Sequence, residues 1–114
     1  MNQGIRTILY PVKDLAQAKK MFNKLLGIQP IVDQPYYVGY QVGGQDIGLD
    51  PNGFKQGMTG PLAYYHVDDI KQSLQDILDA GGQLQAAVRD VGGGKLAAAV
   101  RDPDGNSIGL IQMP

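Results

Sequence analysis

Cysteine is absent from this 114-residue chain, which excludes disulfides and thiol chemistry. Glutamate is absent as well: all 11 acidic residues are aspartate. There is one histidine, His66. A mechanism built on a glutamate base or a His-rich metal cage is therefore excluded by composition alone. Basic charge is also thin. The formal net charge is −1 and no basic stripe runs along the sequence, so nucleic acid is not an expected partner. No apolar run approaches the length of a membrane span, and Met1 to Arg6 carry nothing of signal-peptide type. No membrane partner and a cytoplasmic location are the expectation.

What is present is 43% hydrophobic residues, enough to bury a modest core in one domain of this length, and an internal repeat. Tyr10-Pro11-Val12-Lys13-Asp14-Leu15 resembles Tyr65-His66-Val67-Asp68-Asp69-Ile70. At the same offset Asp14 matches Asp69, Gln17 matches Gln72, Phe22 matches Ile77 and Gly27 matches Gly82. Asp14 and Asp69 are helix N-caps, each with a Gln three residues on to complete a capping box. Leu15, Ala18, Phe22, Leu25 and Leu26 form one apolar helix stripe, and Ile70, Leu74, Ile77 and Leu78 form another. Gly27 and Gly82 are the expected left-handed terminators.

Strands are expected over 5–12 and 62–67 before the helices. After them, 29–34, 36–42 and 46–49 answer to 83–90, 96–101 and 107–112. Gly43-Gly44, Gly92-Gly93-Gly94 and Asp102-Pro103-Asp104-Gly105-Asn106 separate them, the last a strong turn rather than a cation loop. Both halves close on Ile-Gly-Leu, at Ile47-Gly48-Leu49 and Ile108-Gly109-Leu110, with 50–60 as linker. The expected organisation is one domain, 1–114, with a first module over about 1–56 and a second over about 57–114.

Leu9-Tyr10-Pro11-Val12-Lys13-Asp14-Leu15 with Leu25-Leu26-Gly27-Ile28, and Arg101-Asp102-Pro103-Asp104-Gly105-Asn106-Ser107-Ile108, make the chain resemble the vicinal oxygen chelate superfamily of glyoxalases, bleomycin resistance proteins and extradiol dioxygenases. The resemblance implies an α+β fold, two βαβββ modules in tandem forming a curled mixed sheet around a cavity, and a homodimer. It also implies metal-ligand positions, which fall here on Thr7, Leu62, Gly48 and Gly109. Leucine and glycine offer no side-chain donor and threonine is a weak one. No cofactor and no metal are expected, and the chain leans away from being an enzyme. Asp46, Asp50 and His66 could gather near one end, but a metal role is not expected of them.

Strand alternation puts Thr7, Leu9 and Pro11, then Asp46, Gly48 and Asp50, then Leu62, Tyr64 and His66, and Ser107, Gly109 and Ile111 on the cavity face. The glycines make that cup roomy. Tyr36, Tyr37 and Tyr40 add aromatic rings suited to stacking on a planar ligand, and Arg101 would reach a ligand carboxylate. The candidate ligand-binding set is thus Thr7, Leu9, Tyr37, Tyr40, Gly48, Leu62, Tyr64, His66, Arg101 and Gly109. His66 is the one candidate acid/base, and equally a hydrogen-bonded rim residue. The expected function is metal-independent binding of a small planar or hydrophobic molecule; the alternative is a glyoxalase-like lyase or isomerase, or a dioxygenase-related enzyme.

Overall fold

The computed structural model describes residues 2–114. The elements run β1 Asn2–Pro11, α1 Leu15–Leu26, β2 Val32–Gln34, β3 Tyr37–Val42, β4 Gln45–Asp50, a 3-10 turn Phe54–Gln56, β5 Leu62–Val67, α2 Ile70–Asp79, β6 Gln83–Asp90, β7 Leu96–Arg101 and β8 Ser107–Gln112. The βαβββ order therefore occurs twice, and the class is α+β. Two compact units are formed, one over Thr7–Leu62 and one over Ala63–Pro114 together with residues 2–6. Among the described residues no helix is long and apolar enough to cross a membrane.

In the Thr7–Leu62 unit, β1 lies parallel to β4, with Leu9 opposite Gly48. β4 pairs antiparallel with β3 and β3 with β2. The Gly43-Gly44 turn fixes this register. Both residues have positive φ, 57° and 75°, as a two-residue primed hairpin turn requires. Val42 therefore faces Gln45, and counting outward sets Gly39 opposite Gly48. α1 starts where expected: Asp14 caps it by accepting from the Gln17 N–H at 3.0 Å. Its apolar stripe packs on the alternate residues of the sheet, giving a core of Phe22, Val38, Tyr40 and Leu49 with Tyr10, Val12 and Ile47 around it. The Phe22 ring lies 5.1 Å from Tyr10 and 6.4 Å from Tyr40, centroid to centroid.

The second unit repeats the plan. β5 is parallel to β8, with Tyr64 opposite Gly109, and β8, β7 and β6 follow antiparallel. Val67, Ile70, Ala98 and Leu110 form its core, with Tyr65, Leu74 and Ile77 packed against them. Asp69 caps α2 through the Gln72 N–H. The reciprocal arm of the capping box is replaced here, because the Gln72 amide donates to Asp76 Oδ1 at 2.8 Å instead. The helix terminator also differs from expectation. Gly81, not Gly82, takes the positive φ, 109°. Gly82 is needed for space: a Cβ there would lie 2.6 Å from Ile77 Cγ2, and its N–H donates to the Ile77 carbonyl.

Tyr40 shows how tightly α1 is held. Its hydroxyl donates to Asn23 Oδ1 at 2.5 Å and lies 3.2 Å from the Lys19 carbonyl oxygen. Burial pushes the phenol pKa up; the Lys19 charge opposes this and Asp33 adds to it. Below the unfolded phenol value of about 10 the group is protonated in both states and its stabilisation is intact. Above that value the unfolded chain ionises first, so stability falls as pH rises. The urea midpoint is expected to fall as the pH rises above about 10. Tyr40→Phe, about 1 kcal/mol less stable at neutral pH, is expected to drop less over the same interval. Parallel curves for the two proteins would refute the coupling.

Candidate functional site

The candidate residues fall into two groups, one on each unit's sheet face turned away from its helix. In the Thr7–Leu62 unit the first group is Thr7, Leu9, Gly48 and Tyr37. Leu9 and Gly48 are registered partners, and Gly39 is opposite Gly48 on the other side. Tyr37 shares the face of Gly39, two residues on, and its ring lies across both glycines. A Cβ on Gly48 would come within 2.2 Å of the Tyr37 hydroxyl oxygen and 2.9 Å of Leu9 Cδ1. A Cβ on Gly39 would meet the same ring at 3.0 Å. Leu62 is buried at the start of β5.

The second unit holds Tyr64, His66, Gly109 and Arg101. Tyr64 and its partner Gly109 are stacked: the Cβ position of Gly109 is 2.5 Å from Tyr64 Cδ2 and 2.7 Å from Cγ. Ala99 faces Gly109, and Arg101 faces Ser107 on the same side. Ala97, Ala99 and Ile111, also on this face, are buried. Arg101 is exposed, and its Nε donates to Gln85 Oε1 at 3.2 Å, the oxygen that also accepts from Ser107 Oγ at 2.8 Å. Gln85 is the residue the sequence reading missed. It lies in a strand with two register shifts, which scramble the alternation that would have flagged it. At the other end of the face His66 is buried, beside a recess of about 190 Å³ shared with Gln3, Asp68 and Gln112.

Two expectations are corrected. Tyr40 does not join the site. It packs against α1, because residues three apart in a strand point to opposite faces, so Tyr37 and Tyr40 do not share one. Nor is the space beside the two glycines open, since a tyrosine ring fills each. The Asp102 turn behaves as expected. Asp102 accepts from the Asn106 amide and from the Asp104 and Asn106 N–H groups, and these bonds, the Asn106 side chain first, hold its carboxyl below the usual range.

This geometry also tests the metal that the fold implies. Thr7, Leu62, Gly48 and Gly109 supply no adequate donor set, and rings occupy the space into which a longer side chain at 48 or 109 would project. Among the described residues no three of His, Cys, Asp and Glu come together, so Asp46, Asp50 and His66 do not gather. The residues present do not fit a divalent cation.

A βαβββ unit that occurs twice in one chain defines the class. The family model of the Glyoxalase/Bleomycin resistance protein/Dioxygenase superfamily matches residues 4–110, and the chain belongs to that superfamily. Among solved structures it is similar to a hypothetical protein of Bacillus halodurans, with a TM-score of 0.78 at 14% identity over 99% of this chain and 95% of that one. It is similar to a superfamily member from Vibrio splendidus, with a TM-score of 0.73 at 18% identity over 96% and 99%. It is also similar to the methylmalonyl-CoA epimerase of Mycobacterium tuberculosis, with a TM-score of 0.73 at 16% identity over 99% and 89%. At these identities the likeness is one of fold. Sequence comparison with curated proteins finds no match.

Proposed function

We infer that this protein binds a small planar or hydrophobic molecule without a metal, using the sheet faces turned away from its helices. One observation carries the reading. At two of the four positions where the family's metalloenzymes place ligands, glycine stands under a tyrosine ring, Tyr37 over Gly48 and Tyr64 over Gly109. The chemistry offered there is flat aromatic surface with a polar tip, suited to stacking on a planar molecule. The Arg101–Gln85–Ser107 cluster adds a polar contact at the edge of one face. The reading includes a homodimer, for which exposed Ile31, Val32 and Tyr36 supply apolar surface.

The test is binding of a neutral planar probe, 2-naphthol, by the chelator-treated chain, followed by calorimetry and amide shifts. Saturable binding that chelator does not change is expected. Tyr37→Leu and Tyr64→Leu are each expected to weaken it by about threefold to tenfold, the value of an aromatic contact. Absence of saturation across a panel of planar compounds, or binding that requires added metal, would sink the reading. Turnover of a ligand by the chelated protein would replace it with a metal-free enzyme.

A further inference from the structure

On the opposite side of the Thr7–Leu62 sheet, away from the faces just described, α1 and the 3-10 turn enclose an open groove of about 730 Å³. Its volume is in the range of small-molecule sites, roughly 300–1,000 Å³. The floor is apolar: Val12 and Ala18 line it, and Met21 and Phe54 stand at its sides with 59% and 41% of their surface exposed. Its charge is one-sided. Lys13, Lys20 and Lys24 border it against a single acid, Asp14, whose carboxylate is engaged in capping α1.

The lysines differ in how they are held. Lys19, on the neighbouring flank of α1, is bonded to Asp33. Lys13 Nζ rests 5.6 Å from the centre of the Phe54 ring, an arrangement that keeps the ammonium at the groove wall. Lys20 and Lys24 are exposed and stand one turn apart on the helix, where like charges repel. Among the described residues neither is in an ion pair. Exposed apolar walls and an uncompensated cluster of ammonium groups are each mildly unfavourable in water. Both are relieved by one kind of occupant.

We propose that this groove binds a small organic anion with an apolar body, such as a free alkanoate. Its carboxylate lies between Lys20 and Lys24, within reach of Lys13, and its chain lies along Met21, Ala18 and Phe54. Charge complementarity selects the headgroup and the thioether and ring select the body. The concavity between helix and turn favours a free molecule over a flat bilayer. The site is separate from the one under Proposed function, and either stands without the other.

The test is titration of the isotope-labelled full chain with sodium octanoate, followed by amide shifts, with octylammonium as the control of equal length and opposite charge. Saturable shifts confined to the amides of Lys13, Gln17, Met21 and Phe54 are expected with octanoate and none there with octylammonium. The double variant Lys20→Gln/Lys24→Gln removes two exposed charges that form no ion pair among the described residues. It is expected to raise the octanoate Kd about threefold to tenfold, with thermal stability unchanged or slightly raised by the relief of repulsion. Met21→Gln is expected to weaken binding without altering its salt dependence. The proposal is overturned if octylammonium binds equally well, if the shifts fall on Gly48 or Gly109 instead, or if the double variant binds like the parent. It is also overturned if octanoate fails to saturate, whether or not phosphatidylserine vesicles bind.

Discussion

Gly109→Ala is expected to destabilise the protein by about 2–3 kcal/mol, and Gly48→Ala by less than about 1 kcal/mol. The two glycines hold equivalent places in the repeat and both are covered by a tyrosine ring, so the difference rests on which ring atoms a new methyl group meets. At Gly109 they are Tyr64 Cγ and Cδ2, at 2.7 and 2.5 Å. Cγ is next to the backbone, so relief requires the whole ring to turn out of its rotamer in a buried setting. At Gly48 the nearest atoms are the Tyr37 hydroxyl oxygen and Leu9 Cδ1. These are the far ends of flexible side chains, and Tyr37 is only half-buried. Urea unfolding followed by circular dichroism measures both costs. Adding Tyr64→Ala to Gly109→Ala is expected to cost less than Tyr64→Ala does in the parent, since the clash has gone, a coupling read from the double-mutant cycle. Additive costs would mean that the ring does not rest on the glycine.

Phe22→Ala is expected to be the most damaging single truncation in the Thr7–Leu62 unit, at about 3–5 kcal/mol. Phe22 is the one buried residue of α1. Its ring is held between Tyr10 of β1 and Tyr40 of β3, so it joins the helix to two strands at once. Removal leaves a cavity that three rigid elements cannot close, and the aromatic contacts are lost with it. Against a total stability of about 5–15 kcal/mol for a domain, the loss is a large share. Phe22→Leu, which keeps most of the volume, is expected to cost less than about 1.5 kcal/mol. Equilibrium unfolding read by tyrosine fluorescence is suitable, since tryptophan is absent. An alanine cost near the leucine value would show that the helix packs without this anchor.

Much of this was legible in the amino-acid sequence because it is local. The caps at Asp14 and Asp69 need only a side chain and an N–H three residues on. Faces follow from alternation, which places Thr7, Gly48 and Gly109 away from the helices. Even the pairing of Gly39 with Gly48 follows from a two-residue turn at Gly43-Gly44. The same parity sets Tyr40 on the helix side of β3, opposite to Tyr37. Gly81 rather than Gly82 takes the left-handed φ, because spacing alone does not tell a residue needed for its φ from one needed for its small size.

By itself, then, the sequence determined the repeated βαβββ plan, the helix starts at Asp14 and Asp69 and the lack of metal-binding side chains at Thr7, Gly48, Leu62 and Gly109, since each depends on residue type at short spacing. Tertiary structure alone decided that rings lie over the glycines, that Gln85 ties Arg101 to Ser107, and that Phe54 comes round to face α1 across a lysine-edged groove. Tyr64 meets Gly109 across a parallel strand pair, and no turn of the chain sets that register. Such contacts depend on which rotamers fit once distant strands are side by side, a steric outcome of packing that no local pattern encodes.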